Sequence, residues 1–264
     1  MGIAGTEVSK NAADILLTDD NFSTIVQGIK WGRGIYSNFQ RFIQFQITVN
    51  IIAFLTAILS VLLDFRMPFT TIQLLWVNII MDGPPALSLG LEPVRNAGLK
   101  KKPINRNANI ITKTMMISML LNAAYVTSIL LIQMKFNILG VDKHNELISK
   151  STNEVLASEM GTVLFVLFAF SALFNAFNCR EFGFDSIFTH FTENKIAIEI
   201  ISATALVQIV ITQFLSGFFN SVQLSAEMWL KVIGLAAIVI VVNELVKLGG
   251  RTFHKDKLNE EVEI

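Results

Sequence analysis

The sequence predicts an all-α polytopic membrane protein, with six transmembrane helices preceded by a helical stalk and a small α/β segment. Three observations carry that prediction. Apolar residues make up 52% of the 264-residue chain and charged residues only 16%, against roughly 25% charged in soluble domains. The mean hydropathy is positive, at +0.55. The apolar residues also fall in runs as long as a bilayer is thick, since about 20 helical residues cross about 30 Å of hydrocarbon. Net charge is zero, from 21 basic and 21 acidic residues, so there is no general basic field to hold nucleic acid. Cys179 is the single cysteine and cannot form an internal disulfide, and His144, His190 and His254 are too dispersed in sequence for a metal-ligand cluster.

Residues 1–22 read as the edge of a soluble α/β domain, with a helix candidate over 8–13 and a strand candidate over 14–17. Asn21 or Ser23 is placed to cap a helix starting near Thr24. Gly28, Gly32 and Gly34 weaken that helix without stopping it, so residues 23–41 form a predicted stalk that runs into the first span. The spans are predicted over 42–63, 69–91, 111–134, 160–177, 196–219 and 228–248, within a membrane region 42–250 followed by a short tail, 251–264. Basic residues cluster before span one, after span six, and between spans two and three (Arg95, Lys100, Lys101, Lys102, Arg106, Lys113), whereas none lies between Lys195 and Lys231. The positive-inside rule then puts both termini and the Lys100 loop in the cytoplasm, as an even number of spans requires. Trp229 reads as an interface anchor, and the Phe-rich stretch 165–177 as lipid-facing or packing surface.

Most of each span is plain aliphatic and aromatic, so the exceptions are informative. Asp82 lies near the middle of span two, where an ionisable residue costs about 2.5–3.5 kcal/mol on insertion scales. Glu199, Glu244, Lys231 and Asp64 lie near span ends, within reach of water. Asp82 stands in Trp76-Val77-Asn78-Ile79-Ile80-Met81-Asp82-Gly83-Pro84-Pro85-Ala86. Pro84 and Pro85 have no N–H to give to the carbonyls of Ile80 and Met81, so the helix is predicted to break and leave oxygens free. Asn78, four residues before Asp82, is expected on the same helix face. An amide, a carboxylate and free carbonyls make an oxygen-only environment of the kind Ca²⁺ prefers, and broken helices are a recurrent cation-binding device in transporters. The competing reading is a Pro-kinked helix used for packing. Asn50, mid-way along span one, either supplies another oxygen or makes an interhelical hydrogen bond. Asn175, Asn178, Gln208 and Gln213 read as packing or interface residues.

These residues resemble the carboxy-terminal part of a P-type ATPase, specifically a calcium pump of the plasma-membrane or secretory-pathway type. The resemblance is carried by Met1-Gly2-Ile3-Ala4-Gly5-Thr6-Glu7-Val8-Ser9-Lys10, by Ala13-Asp14-Ile15-Leu16-Leu17-Thr18-Asp19-Asp20, and by the run from Trp76 to Ala86. It implies that residues 1–22 end a phosphorylation domain and that the six spans are helices five to ten of a ten-helix membrane domain. By the same resemblance Asn78 and Asp82 are sixth-helix ligands, and Asn50 a fifth-helix ligand, of one Ca²⁺ site. Sarcoplasmic-reticulum-type pumps carry a further glutamate on the fifth helix and another on the eighth. Ala53 and Ala172 stand at those positions, which implies one Ca²⁺ per cycle. Mn²⁺ shares the oxygen chemistry and is the alternative cargo.

The family's Asp-Lys-Thr-Gly-Thr, Thr-Gly-Glu-Ser and Gly-Asp-Gly-x-Asn-Asp motifs do not occur in these 264 residues. The resemblance therefore assigns ATP and Mg²⁺ to an N-terminal partner portion comprising the actuator, nucleotide-binding and phosphorylation domains and the first four transmembrane helices. These residues alone are not expected to hydrolyse ATP, and a free-standing, non-catalytic membrane remnant is the other reading. The Lys100-Lys101-Lys102-Pro103 loop either contacts the phosphorylation domain or is simply a positive-inside loop. A plasma-membrane location follows from the same resemblance.

Overall fold

The computed structural model describes residues 2–3, 5–95, 99, 103–105, 108–141, 158–181 and 185–262, with side chains in the last helix described as far as Arg251. The first helix, α1 (Glu7–Ala12), is capped by Thr6, whose Oγ1 accepts from the Ser9 N–H at 3.3 Å. The strand expected over 14–17 does not form. The Gly2 N–H donates to the Leu17 carbonyl at 2.7 Å, but one backbone bond is not a ladder, and a strand needs a neighbour to pair with. Neither Asn21 nor Ser23 is the N-cap of the next helix, a position Phe22 takes without a side-chain cap; Asn21 Oδ1 instead accepts from the Ser23 N–H at 3.0 Å and from the Ser23 hydroxyl at 2.9 Å.

That helix, α2 (Ser23–Leu62), is 40 residues long and carries the stalk into the first span without interruption. The three glycines do not break it, and Gly34 has a packing reason. A Cβ at that position would lie 2.4 Å from Cγ2 of Val94, so the stalk lies directly against the loop after the second span.

The second span is divided. It comprises α3 (Thr71–Trp76), a π-helical turn (Val77–Met81) and α4 (Gly83–Gly90). Beyond it lie α5 (Lys113–Phe136), α6 (Glu159–Asn178), α7 (Lys195–Phe214), the short α8 (Ser216–Phe219) and α9 (Ala226–Val262). Five of these helices are long and apolar enough to cross a bilayer, and the divided helix lies where the second of the six crossings was predicted. The fifth span ends at Phe214, earlier than expected. The chain then turns through α8 and leaves it at Asn220 in the left-handed region (φ 47°), a conformation Asn tolerates. No strand occurs among the described residues, and the architecture is an all-α polytopic bundle. The Lys100–Lys102 segment lies outside the described residues.

The hydrophobic centre of the bundle is α6, which packs against α4, α5, α7 and α9. Its Phe-rich stretch is packing surface: Phe165 and Phe168 are fully buried. Phe168 stacks on Phe69 at 4.9 Å and Phe165 on Phe219 at 6.3 Å. Trp229 is not the interface anchor expected. Its ring is buried and meets Phe170 edge-on at 6.1 Å, an arrangement that aromatic pairs favour.

Candidate functional site

The divided span is held at both ends by side chains. At its start Thr70 and Gln73 form a reciprocal capping box: Thr70 Oγ1 accepts from the Gln73 N–H at 3.1 Å and Gln73 Oε1 from the Thr70 N–H at 3.0 Å. Gln73 also donates from Nε2 to the Phe219 carbonyl at 3.0 Å, and Trp76 donates from Nε1 to Gln208 Oε1 at 2.8 Å. These bonds fasten α3 to α7 and α8. Thr70→Ala is expected to cost about 1 kcal/mol through loss of the cap, read as a lower Tm of the detergent-solubilised protein.

The α-helix stops at Trp76, earlier than the prolines alone would require, and the prolines instead occupy the first turn of α4. Between them the chain widens into the π turn, and the Asp82 N–H reaches back five residues to the Val77 carbonyl at 2.9 Å. The Ile80 carbonyl would receive the N–H of residue 84 in an α register or of residue 85 in a π register, and both are prolines. The Met81 carbonyl is left in the same position, since Pro85 has no N–H and Ala86 gives its own to the Asp82 carbonyl at 2.9 Å. The free carbonyls anticipated from the sequence are therefore a direct consequence of two adjacent prolines.

Asp82 is completely buried (0% exposed), and neither carboxylate oxygen has a hydrogen-bond partner among the described residues. A buried polar group without a partner is costly, and a buried charge more so. Among the described residues no group of three or more His, Cys, Asp or Glu side chains is placed to hold a metal. The described residues around Asp82 therefore offer amide, hydroxyl and carbonyl oxygens as further ligands.

The other two candidate residues are placed differently. Asn78 is exposed, and its Nδ2 donates to the Leu74 carbonyl at 3.0 Å. Asn50 is also exposed, although Thr48 and Val49 beside it are buried. Asn78 and Asp82 thus do not share a buried face, contrary to expectation. A π turn closes on a five-residue bond, so residues four apart no longer stack above one another. Asn78 and Asn50 present their amides on the outside of the bundle formed by these residues, while Asp82 points in.

Two polar features go beyond the sequence reading. On α6, Ser171 joins Asn175 and Asn178, which the sequence placed as packing or interface residues, at a helical i, i+4, i+7 spacing; all three are buried, and each has a side-chain oxygen without a hydrogen-bond partner among the described residues. Around the ends of the spans that carry the basic loops, charged residues, of which only Arg41 and Arg95 entered the topology reading, form a largely buried network. Arg180 donates from Nε to Glu92 Oε1 and from Nη1 to the Phe191 carbonyl at 3.0 Å. Arg95 makes a two-pronged pair with Glu181 at 2.8 and 2.9 Å and a further bond to Glu193 at 2.9 Å. Arg41 donates from Nε to the Arg180 carbonyl at 2.7 Å. Burial would push the Glu181 carboxyl up, but hydrogen bonds and charge from Arg95, with Arg41 and His190, outweigh it and hold it below the usual glutamate range. The only advance signal was the placement of Arg41, Arg180 and Glu92 hard against span ends.

A polytopic helical bundle whose second span opens around a buried carboxylate has the architecture of a cation-translocating membrane domain. A family model described as "Cation transporting ATPase, C-terminus" matches residues 66–249. The chain belongs to that family. It is 36% identical over 255 residues to the probable calcium-transporting ATPase 6, plasma membrane-type, of Oryza sativa subsp. japonica, covering 97% of this chain and 24% of the relative. It is 39% identical over 238 residues to the calcium-transporting ATPase 10, plasma membrane-type, of Arabidopsis thaliana, covering 90% of this chain and 22% of the relative. The chain thus spans about a quarter of the length of the relatives it matches.

Proposed function

We propose that these residues are the carboxy-terminal membrane portion of an ATP-driven Ca²⁺ pump and that Asp82 is the charged ligand of its ion site, with Asn78 and Asn50 as neutral ligands. The observation that carries this reading is the Asp82 carboxylate, fully buried and without a partner, beside backbone carbonyls that two prolines have stripped of donors. A carboxylate with carbonyl and amide oxygens suits a hard divalent cation. The outward amides of Asn78 and Asn50 fit an ion held against a further element, which the resemblance assigns to the fourth transmembrane helix. Both termini lie in the cytoplasm on this reading, residues 1–22 complete a phosphorylation domain, and residues 23–41 carry its movement into the membrane. ATP and Mg²⁺ act in the N-terminal portion of the full-length pump.

ATP-driven uptake of ⁴⁵Ca²⁺ into vesicles by the full-length pump tests the proposal. Uptake is expected to saturate with Ca²⁺, and Asn78→Ala and Asn50→Ala are each expected to raise the half-saturating Ca²⁺ about tenfold, the equivalent of about 1.4 kcal/mol. Uptake that is insensitive to both substitutions would remove the amides from the site. Mn²⁺ competing more strongly than unlabelled Ca²⁺ would reassign the cargo.

A further inference from the structure

We propose that the cavity between α2, α5 and α9 is a binding site for a glycerophospholipid, held by its phosphate. The cavity has a volume of about 450 Å³, within the size range of sites that hold small molecules. Amides and hydroxyls line it, together with one ammonium. Gln44 Nε2 donates to the Ser118 hydroxyl at 3.4 Å, and Asn122 Nδ2 donates to Asn243 Oδ1 at 3.3 Å. The second bond fixes which way the Asn243 amide points, so its N–H pair is the end left over. Asn243 is buried, and its Nδ2 has no hydrogen-bond partner among the described residues. One turn further along α9, Lys247 is buried as well. Its Nζ donates to the Glu181 carbonyl at 3.3 Å and lies 3.9 Å from Glu244 Oε1. An ammonium has three N–H donors, so it can serve an anion besides. The acids nearby are already engaged: both Glu181 carboxylate oxygens are taken by Arg95, and Glu244 Oε1 accepts from the Ile187 N–H at 3.0 Å. A buried ammonium one turn from an amide with N–H groups to spare suits a phosphate, whose charged oxygens accept strong hydrogen bonds.

The walls argue for a lipid rather than a soluble anion. Tyr36 and Ser37 line the cavity from the predicted stalk, whereas Ile117 and Val246 line it from within the predicted third and sixth spans. The cavity therefore runs from the membrane boundary into the depth of the spans. Ile117 is 58% exposed and Val246 is exposed beside it on α9, and an exposed apolar side chain at that depth faces acyl chains. A ligand that places its polar group at Lys247 and its apolar part against Ile117 and Val246 is an amphiphile with a phosphate at its head. Basic pockets between transmembrane helices bind phospholipid headgroups in this way. A soluble phosphate would gain nothing from the apolar walls.

The test uses the full-length protein, purified in detergent and stripped of lipid. Native mass spectrometry with dioctanoyl phosphatidylglycerol as the probe is expected to show a tightly held molecule on each chain. Excess glycerol phosphate, which has no acyl chains, is expected to leave it in place, and so is excess dioctanoylglycerol, which has no phosphate. Lys247→Met is expected to weaken binding about tenfold. That change also removes the bond to the Glu181 carbonyl, so a second variant leaves the polar groups intact. Ser37→Trp fills the cavity from the stalk and is expected to abolish binding. Lys231→Met, near the start of α9, removes a cation far along the helix and is expected to bind as wild type does. Displacement by glycerol phosphate would assign the site to a soluble phosphate compound, and displacement by dioctanoylglycerol would show that the phosphate is not read. Either result overturns the proposal. So does a wild type that holds no probe, binding that survives both Lys247→Met and Ser37→Trp, or binding lost in Lys231→Met. None of these readouts involves Ca²⁺ or ATP, so they stand apart from the pump reading above.

Discussion

Asp82→Asn is expected to raise the heat stability of the full-length protein in the absence of Ca²⁺ and to abolish ATP-driven Ca²⁺ uptake in the same step. Both effects follow from one carboxylate with no partner in a fully buried position. An unsatisfied buried polar group costs about 1–3 kcal/mol, and more when charged. An amide of the same size removes the charge and can donate to the carbonyls stripped of N–H donors at Ile80 and Met81. A gain of about 1–3 kcal/mol should appear as a higher Tm measured in a chelator. The loss of function has a thermal signature of its own. Ligand at a hundredfold excess over its Kd stabilises the state that binds it by about 2.7 kcal/mol. Wild type should therefore gain Tm on adding Ca²⁺, and the asparagine variant should not. A variant less stable than wild type without Ca²⁺, or one still shifted by the ion, would show that Asp82 is a structural partner of a group in the N-terminal portion.

Arg180→Ala is expected to destabilise the membrane domain by up to about 3–5 kcal/mol, since it takes the hydrogen-bonded partner from the buried Glu92 and leaves it only Arg95, at 4.0 Å. The double variant Arg180→Met/Glu92→Leu should recover most of that loss, because a buried pair replaced by apolar side chains is often neutral or stabilising. Denaturant melts of the single and double variants check both halves. A single-variant cost below about 1 kcal/mol would mean that water reaches the pair. The neighbouring Glu181 adds a pH dependence whose sign is set by its lowered pKa. A carboxylate depressed on folding contributes stability above its unfolded pKa of about 4.3. That contribution is lost as pH falls through the lower folded value. Wild type should thus lose stability more steeply below about pH 4.3 than Glu181→Gln, as measured by Tm against pH.

The bundle was legible because bilayer thickness dictates the length of apolar runs: three of the five long helices end within two residues of the predicted bounds, and α7 stops five residues early at Phe214. The last, α9, matches along its apolar part but continues well past the predicted end of the span, as helical structure does not require lipid. The importance of the Asp82 region was legible because prolines and a charge are both out of place in lipid. The π turn was not, since nothing in Val77–Met81 distinguishes a wide turn from an α-helical one before its neighbours are packed. Helical spacing consequently misplaced Asn78 relative to Asp82. The strand over 14–17 failed for a different reason: its apolar pattern is real, but pairing is a property of two segments. Arg180 lies 139 residues from Arg41 and 88 from Glu92, its two bonded partners, separations at which composition says nothing about contact.

A wide turn stores one surplus residue, much as a rucked carpet stores slack. Passing that slack along the rod by a single position turns the residue it passes by about 100° and leaves the helix on either side in register, while hydrogen bonds break and re-form one at a time. Reorienting a side chain deep in the hydrocarbon then requires neither melting a helix nor exposing its backbone to lipid. A site built on such a wrinkle can be turned by a small axial push.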